Sequence, residues 1–502
     1  MTFRRFWRAA RDAGLLAHPL RDAWLAVRVL ARFGPSLYAV AAWSAARFPQ
    51  LPAVVDDDGP LTFRELRLRS DSIAGVFEQH LPFGASVGLL CRNHAACVAV
   101  LLASQRAGLR AVLLNPSGPV SQTLDAARAL NLSLLVVDDA LMPDLQALEP
   151  DLPCCCMSAL TVASAPGKPG PSGRRQGRIV LLTSGTTGPA KVVQRRLESL
   201  GALRALMALL VQLNLRAHAP VLLTTPLVHG HGLATLAMSL AFGAPLHLRS
   251  RGGREAYLRT LRDARIEVLV LVPTVLYRLL DAPTEPLPHL RTVISGSAPL
   301  TADLARRALS RFGPVLFNLY GSSELGLISL APPEQLLAAP DSVGRVLPGT
   351  RLSVRRADGT PAAANEEGNV TLRTAGHWQP TGDRGRLSES GLLTLTGRSD
   401  DLLVIGGVNV TPQRIEEDVA RLPFVLDCAV TGVPCEEYGQ RVVAFIVPRG
   451  GWEHVTAVDV QRELQALLPR AWRPSQVEFR AALPRNAMGK LVRHQLKPSE
   501  DQ

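Results

Sequence analysis

From residue 85 the sequence alternates short aliphatic runs with segments of helical length, and few folds accommodate that rhythm. ASVGLLC (85–91) leads into AACVAVLLASQRAG (95–108), LRAVLLN (109–115), a helical pattern near PVSQTLDAARAL (119–130) and LSLLVVD (132–138). The pattern resumes at RIVLLTSG (178–185) and continues through APVLLTT (219–225), EVLVLVP (267–273), LRTVISG (290–296) and PVLFNLYG (314–321). Unbroken aliphatic runs suit strands covered on both faces, and the intervening segments suit crossover helices. Two successive α/β units with parallel strands follow. Between them, the Gly/Pro-rich SAPGKPGPSGRR (164–175) reads as an exposed linker separating the units.

Past residue 342 the texture changes. Short β runs are punctuated by ADG, EEG and SESG up to residue 397, which predicts a small β subdomain. After GRSDD (397–401) the chain mixes strand runs such as DCAVTGV and RVVAFIV with the helical VDVQRELQALL. The first 48 or so residues read as helical, with Phe6, Trp7, Leu15, Leu16, Trp24, Leu25, Val29 and Leu30 interleaved with arginines. Such a segment either packs on the protein or lies on an anionic membrane surface.

Composition narrows the function classes. A chain of 502 residues, 47% hydrophobic and 20% charged, implies two or more domains and can bury an enzyme-sized core. Its formal charge is +12, yet the arginines are scattered without aromatic interleaving, so no nucleic-acid partner is expected. Of the 55 basic residues four are lysines: Lys168, Lys191, Lys490 and Lys497. A chain that uses arginine almost everywhere keeps lysine where a compact point charge is required. The seven cysteines include the run Cys154, Cys155, Cys156 and show no paired CxxC spacing, which predicts reduced thiols and a cytoplasmic setting. The first residues lack a signal-peptide pattern, and no segment has the apolar length of a membrane span.

The chemistry concentrates in Thr183-Ser184-Gly185-Thr186-Thr187-Gly188-Pro189-Ala190-Lys191, directly after an aliphatic strand. Four hydroxyls, the loop backbone and one ammonium offer donors to a polyphosphate, although the spacing is not that of a Walker A loop. With PLVHGHGL (226–233), SGSAPL (295–300), YGSSE (320–324), TGD (381–383), GRSDD (397–401) and PRNAMGK (484–490), this segment resembles the ordered motifs of the adenylate-forming family, most of all its acyl-CoA synthetases. The resemblance runs from LTFREL (61–66) to the end of the chain.

The resemblance implies an α/β fold: a large N-terminal domain of two α/β subdomains plus a small β-barrel-like subdomain, then a small mobile α+β C-terminal domain. The expected division is a helical extension over 1–50, an adenylation domain over 51–397 and the mobile domain over 398–502. It also implies AMP-forming activation of a carboxylic acid, plausibly a fatty acid, with ATP and Mg²⁺, followed by transfer to CoA. Lys490 and Glu324 would be catalytic, Glu324 as the Mg²⁺ ligand. The phosphates would lie on Thr183, Ser184, Gly185, Thr186, Thr187, Gly188 and Lys191. AMP would lie against Ser297, Ala298, Pro299, Tyr320, Gly321, Ser322, Ser323, Asp383 and Arg398. The acyl pocket would use His229, Gly230, Gly232, Gly296 and Gly326, the hinge Asp400, and the CoA path Gly406 and Gly407. No aspartate stands in the acyl motif, which disfavours an amino-acid substrate. An acyl-AMP ligase loading a carrier protein and a catalytically silent sensor are the alternatives.

Overall fold

The computed structural model describes residues 18–117, 120–148, 150–163, 177–183, 191–194, 200–281, 285–322, 325–374, 376–399, 401–405, 408–435, 439–452, 454–469, 472–486 and 489–498. Strand order in the first sheet is Cys154–Cys156, Leu134–Val137, Ser86–Leu90, Arg110–Leu114, Arg178–Thr183, Lys191–Gln194. All neighbours are parallel except the last pair. Helix Ala95–Arg106 is apolar nearly all round because it lies inside, covered by helices Leu37–Arg47 and Phe63–His80. Phe63–His80 begins with a capping box. Thr62 Oγ1 accepts from Glu65 N at 3.2 Å and the Glu65 carboxylate accepts from Thr62 N at 2.9 Å.

Among the described residues the second sheet has thirteen strands. It runs from Gly59–Thr62 and Pro52–Asp56 through Leu246–His247, Val221–Leu223, Val268–Leu271, Thr292–Gly296 and Leu316–Ser322. From Pro52–Asp56 to Leu316–Ser322 every pairing is parallel. The sheet then turns antiparallel through Gly326–Ala331, Ser342–Val346, Leu392–Arg398, His377–Leu387, Gly368–Thr374 and Leu352–Arg355. These last strands are the expected β subdomain. They curl around a core of their own, including Ile328, Val354, Val370 and Leu393, as a continuation of the sheet.

One expectation is corrected. The linker at 164–175 does not divide the two α/β units, because Arg178–Thr183 and Lys191–Gln194, which follow it, belong to the first sheet. Pro52–Asp56 and Gly59–Thr62, which precede the first sheet, belong to the second. The exposure expected of 164–175 itself lies outside the described residues; sheet membership is decided by long-range pairing, which Gly/Pro composition does not report. Helix Leu37–Arg47 packs into the large core. Tyr38, Ala41, Ala42 and Ala45 are buried there, and Ser44 Oγ donates to Leu240 O at 2.5 Å.

The C-terminal part pairs Val425–Cys435 antiparallel with Gly439–Pro448, and the latter parallel with Gln476–Phe479. Helices Pro412–Val419 and Ala457–Leu467 close a separate core of Ile415, Val419, Val442, Ile446, Val460 and Leu464. Among the described residues no helix is long and apolar enough to cross a membrane. The Cys91 and Cys97 side chains lie against one another, with Cα atoms 6.2 Å apart. The chain turns from a strand end into a helix between them, a proximity that a search for CxxC pairs does not see.

Candidate active site

In open parallel sheets ligands bind beyond the carboxyl ends of the strands. Here the ends of Val221–Leu223, Thr292–Gly296 and Leu316–Ser322 bring PLVHGHGL, SGSAPL and Tyr320–Ser322 to one edge of the sheet. The loop after the first is held from the other sheet. Asn93 Nδ2 donates to Thr225 O at 2.8 Å, and Asn93 Oδ1 accepts from Leu227 N at 2.8 Å. Asn93 carried no motif signal; its place just past the aliphatic run SVGLLC was the clue available.

His229 caps helix Gly230–Phe242, and the next turn is tight: a Cβ at Gly232 would lie 2.3 Å from Pro226 O. His231 Nδ1 lies 3.3 Å from Ser297 Oγ. At Gly296 a Cβ would meet Leu319 O at 2.9 Å and His231 Cε1 at 3.2 Å, so glycine lets the ring approach the strand end. Ser297 holds φ at +69°, a left-handed conformation costing a side-chain-bearing residue about 1–2 kcal/mol and kept by its surroundings. Among the described residues, the Nε2 atoms of His229 and His231, sealed from solvent, have no hydrogen-bond partner. Burial and the nearby Lys490 charge push His229 down to about 4, and burial alone does the same to His231. Both imidazoles are neutral at pH 7.

Gly296 is in register with Leu319, so Tyr320 stands next to Ser297 across the strand pair. Tyr320 Oη donates to Asp383 Oδ2 at 2.5 Å, and Arg398 Nη1 donates to Asp383 Oδ1 at 3.3 Å. Burial, then the Asp383 carboxylate, raises the Tyr320 phenol far above its ordinary value, so it stays a donor. Asp383 N donates to Thr381 Oγ1 at 3.1 Å, which fixes the carboxylate's backbone. Gly382, at φ +81°, lets the Arg398 guanidinium lie where a Cβ would be 3.0 Å from Nη2. Gly321 sits where the ladder shifts register, its missing Cβ 2.6 Å from Gly326 O. Ser322 Oγ accepts from Leu325 N at 2.9 Å. Ala298 and Pro299 continue from Ser297 at the surface of the same cleft, and Gly230 opens the helix behind His229.

The C-terminal domain reaches this cleft through the loop carrying Lys490. Thr274 Oγ1, on helix Pro273–Leu280 of the large domain, donates to Gly489 O at 3.3 Å. Gly489 has φ +69°, and a Cβ there would lie 2.4 Å from Thr274 Oγ1, so no other residue docks as closely. Arg485 Nη1 also donates to Gly489 O, at 2.9 Å, while Arg485 Nη2 bonds Asp427 at 2.8 Å. Asn486 Oδ1 accepts from Lys490 N at 3.0 Å. Thr274, Arg485 and Asn486 were not singled out individually; the last two lie within the PRNAMGK motif.

Thr183 and Lys191 are opposite one another in the hairpin that ends the first sheet, which places both at its mouth. Ser184, Gly185, Thr186, Thr187, Gly188, Ser323, Glu324, Asp400, Gly406 and Gly407 lie outside the described residues. The neighbours of Asp400 are informative. Ser399 N donates to Gly382 O at 2.9 Å in the large domain, whereas Asp401 pairs with Arg493 of the C-terminal domain at 3.3 Å.

The two clusters and the docked lysine loop define an enzyme of the AMP-binding class. The sequence model described as AMP-binding enzyme matches residues 41–378, and that of the AMP-binding enzyme C-terminal domain matches 414–490. The chain belongs to the AMP-binding enzyme family. It is 27% identical to the 2-succinylbenzoate–CoA ligase of Bacillus pumilus, over 89% of this chain and 95% of that protein. It is 27% identical to the medium/long-chain-fatty-acid–CoA ligase FadD8 of Mycobacterium tuberculosis, over 88% of this chain and 86% of that one. The o-succinylbenzoate coenzyme A synthetase (MenE) of Bacillus subtilis, solved with ATP and magnesium ion, shares the fold with a TM-score of 0.79. That likeness covers 91% of this chain and 99% of the other at 23% identity. The protein is a ligase, and ATP, Mg²⁺ and CoA are the substrates and cofactors usual to AMP-forming CoA ligases.

The buried imidazoles carry a measurable consequence. Unfolded histidines take up a proton near pH 6.5, whereas folded His229, His231 and His247 each do so near 4. Between those values the unfolded chain binds more protons, so stability falls as pH drops through 6.5 and the loss is complete below about 4. Melting curves at pH 7 and pH 5 are expected to differ by more than about 5 °C, lower at pH 5. A Tm unchanged over that interval would contradict the buried neutral state.

Proposed function

We propose that this chain activates an uncharged, apolar carboxylic acid, a fatty acid, as its acyl-adenylate and passes the acyl group to the CoA thiol. The observation that carries the reading is the docking of the Lys490 loop on Thr274, where its charge acts on His229, in a chain that also joins Tyr320 and Arg398 through Asp383. Asp383 holds one protein donor on each oxygen and keeps lone pairs for two ribose hydroxyls. Arg398 reaches ribose or phosphate. Tyr320 offers its ring to adenine, with Ser297, Ala298, Pro299, Gly321, Ser322 and Ser323 around the base. Thr183, Ser184, Gly185, Thr186, Thr187, Gly188 and Lys191 hold the departing phosphates. Mg²⁺, a hard cation suited to the Glu324 carboxylate, neutralises phosphate charge when bound.

In the first half-reaction a substrate carboxylate oxygen bonds to the α-phosphorus, the bond to the bridging oxygen breaks, and pyrophosphate leaves. Lys490 Nζ draws carboxylate and α-phosphate together and stabilises the charge that builds between them. In the second, the thiolate adds to the acyl carbonyl and AMP departs with the former carboxylate oxygen. Asp400, between residues anchored to different domains, is the pivot that removes Lys490 and brings Gly406 and Gly407 to the pantetheine path.

The fatty-acid assignment rests on the acyl pocket. Neutral His229 and His231 supply no formal charge for a second carboxylate, and a Cβ at Gly326 would meet nothing within 4 Å, whereas the space beside Gly232 and Gly296 is taken by main chain and the His231 ring. CoA is preferred over a carrier-protein phosphopantetheine because residues 398–410 carry no extra segment. Pyrophosphate release measured over a panel of acids, with and without CoA, is expected to be highest with unbranched monocarboxylates and to turn over only with CoA. Preference for a dicarboxylate or an aromatic acid would overturn the substrate class; turnover with a carrier protein alone would overturn the acceptor.

Glu324→Gln keeps size and most hydrogen bonding and removes the charge. Adenylation is expected to fall by about 10²-fold or more with little change in Tm. A destabilised variant with near-normal turnover per folded molecule would make Glu324 a structural acid.

A further inference from the structure

Helix Pro19–Phe33 has two apolar faces, and the described residues cover one. Val29 and Phe33 pack on the large core, and Asp22 is buried against Arg47 at 3.4 Å. Trp43 Nε1 donates to Asp22 O at 3.0 Å, which fixes the helix by its inner side. At 100° per residue, Leu20, Ala23, Trp24, Val27, Leu30 and Ala31 form a continuous stripe on the opposite side. Leu20 is 89%, Trp24 58%, Val27 67% and Leu30 48% exposed. Arg21, Arg28 and Arg32 line one flank of the stripe, and the single acid of the helix, Asp22, points inward. The Arg28 guanidinium lies 5.1 Å from the Trp24 ring centre.

We propose that this face lies in the plane of an anionic phospholipid surface, the apolar stripe in the acyl boundary and the arginines at the phosphates. Charge decides among occupants. An apolar stripe bordered by cations without an outward acid complements a negatively charged interface, where arginines can reach phosphates from the rim. The chain as a whole carries +12, which attracts such a surface from solution. A second copy of the chain is disfavoured by the same charge, because a two-fold contact through the stripe would set each arginine flank near its equivalent. One helix face is also much smaller than a stable dimer interface.

The test is sedimentation of the full chain with phosphatidylcholine vesicles and with vesicles that also contain phosphatidylglycerol. Binding is expected to the phosphatidylglycerol vesicles alone, and to weaken with salt. Trp24→Glu with Val27→Glu is expected to lower the bound fraction by about tenfold or more. Arg21→Glu, Arg28→Glu and Arg32→Glu together are expected to abolish the preference for anionic lipid. All of these residues are exposed, and unchanged melting curves check that the variants fold. Failure of the full chain to sediment with anionic vesicles would overturn the proposal. So would wild-type binding by the Trp24/Val27 variant, which would move the contact to residues 1–17 or elsewhere. A dimer that this variant converts to monomer in analytical ultracentrifugation would assign the stripe to a second copy instead.

Discussion

Lys490→Ala is expected to lower acyl-adenylate formation by about 10³-fold, while thioester formation from supplied acyl-AMP keeps most of its rate. Two oxyanions must be brought together in the first half-reaction, and a positioned cation acts where that repulsion is greatest. The loop places the ammonium by three contacts that do not involve its side chain: Thr274 and Arg485 on Gly489 O, and Asn486 on Lys490 N. Removing the side chain therefore leaves the docked backbone intact, and the loss reads the charge. Lys490→Arg should recover little, since a planar guanidinium does not reproduce a compact ammonium. Quenched-flow measurement of each half-reaction separates the cases. Equal loss in both would mean that Lys490 supports the fold of the loop rather than adenylation.

The second large effect is expected at Asp383. Replacing it with alanine removes the acceptor for Tyr320 Oη and for Arg398 and, in the proposed mode, two charge-assisted bonds to ribose. Hydrogen bonds to a charged group contribute about 1.5–3 kcal/mol each, so kcat/KM for ATP should fall by about 10²–10⁴-fold. The stranded phenol also destabilises the protein, by about 1–3 kcal/mol. Asp383→Asn discriminates between the two, because the amide retains an oxygen for Tyr320 and loses the charge. Its Tm should lie near that of the parent while KM for ATP stays raised. A variant that melts early but binds ATP normally would reduce Asp383 to a structural partner of Tyr320.

What the sequence disclosed depended on the range of the interaction. Aliphatic runs at 86–90, 110–114, 268–271 and 292–296 could be read as strands because buried parallel strands need no polar alternation. The membership of 178–183 in the first sheet, and of 52–62 in the second, could not be read. Pairing across more than 60 residues is settled by packing, and periodicity carries no information about the partner. Motif residues such as Tyr320, Asp383 and Lys490 were legible because their chemistry demands fixed residue types. Asn93 and Thr274 were not, since each works through main-chain contacts with a distant loop that several polar residues could make. Ser297 was named from its motif, but its left-handed backbone is visible only once Gly296, His231 and Tyr320 are in place.

The most direct test is to incubate the protein with ATP, Mg²⁺ and a fatty acid in the absence of CoA and identify the products by mass spectrometry. Acyl-AMP and pyrophosphate are expected to accumulate to about one equivalent of enzyme, with AMP and acyl-CoA appearing when CoA is added. ADP and phosphate as products, or no acyl-AMP with any acid, would contradict the account.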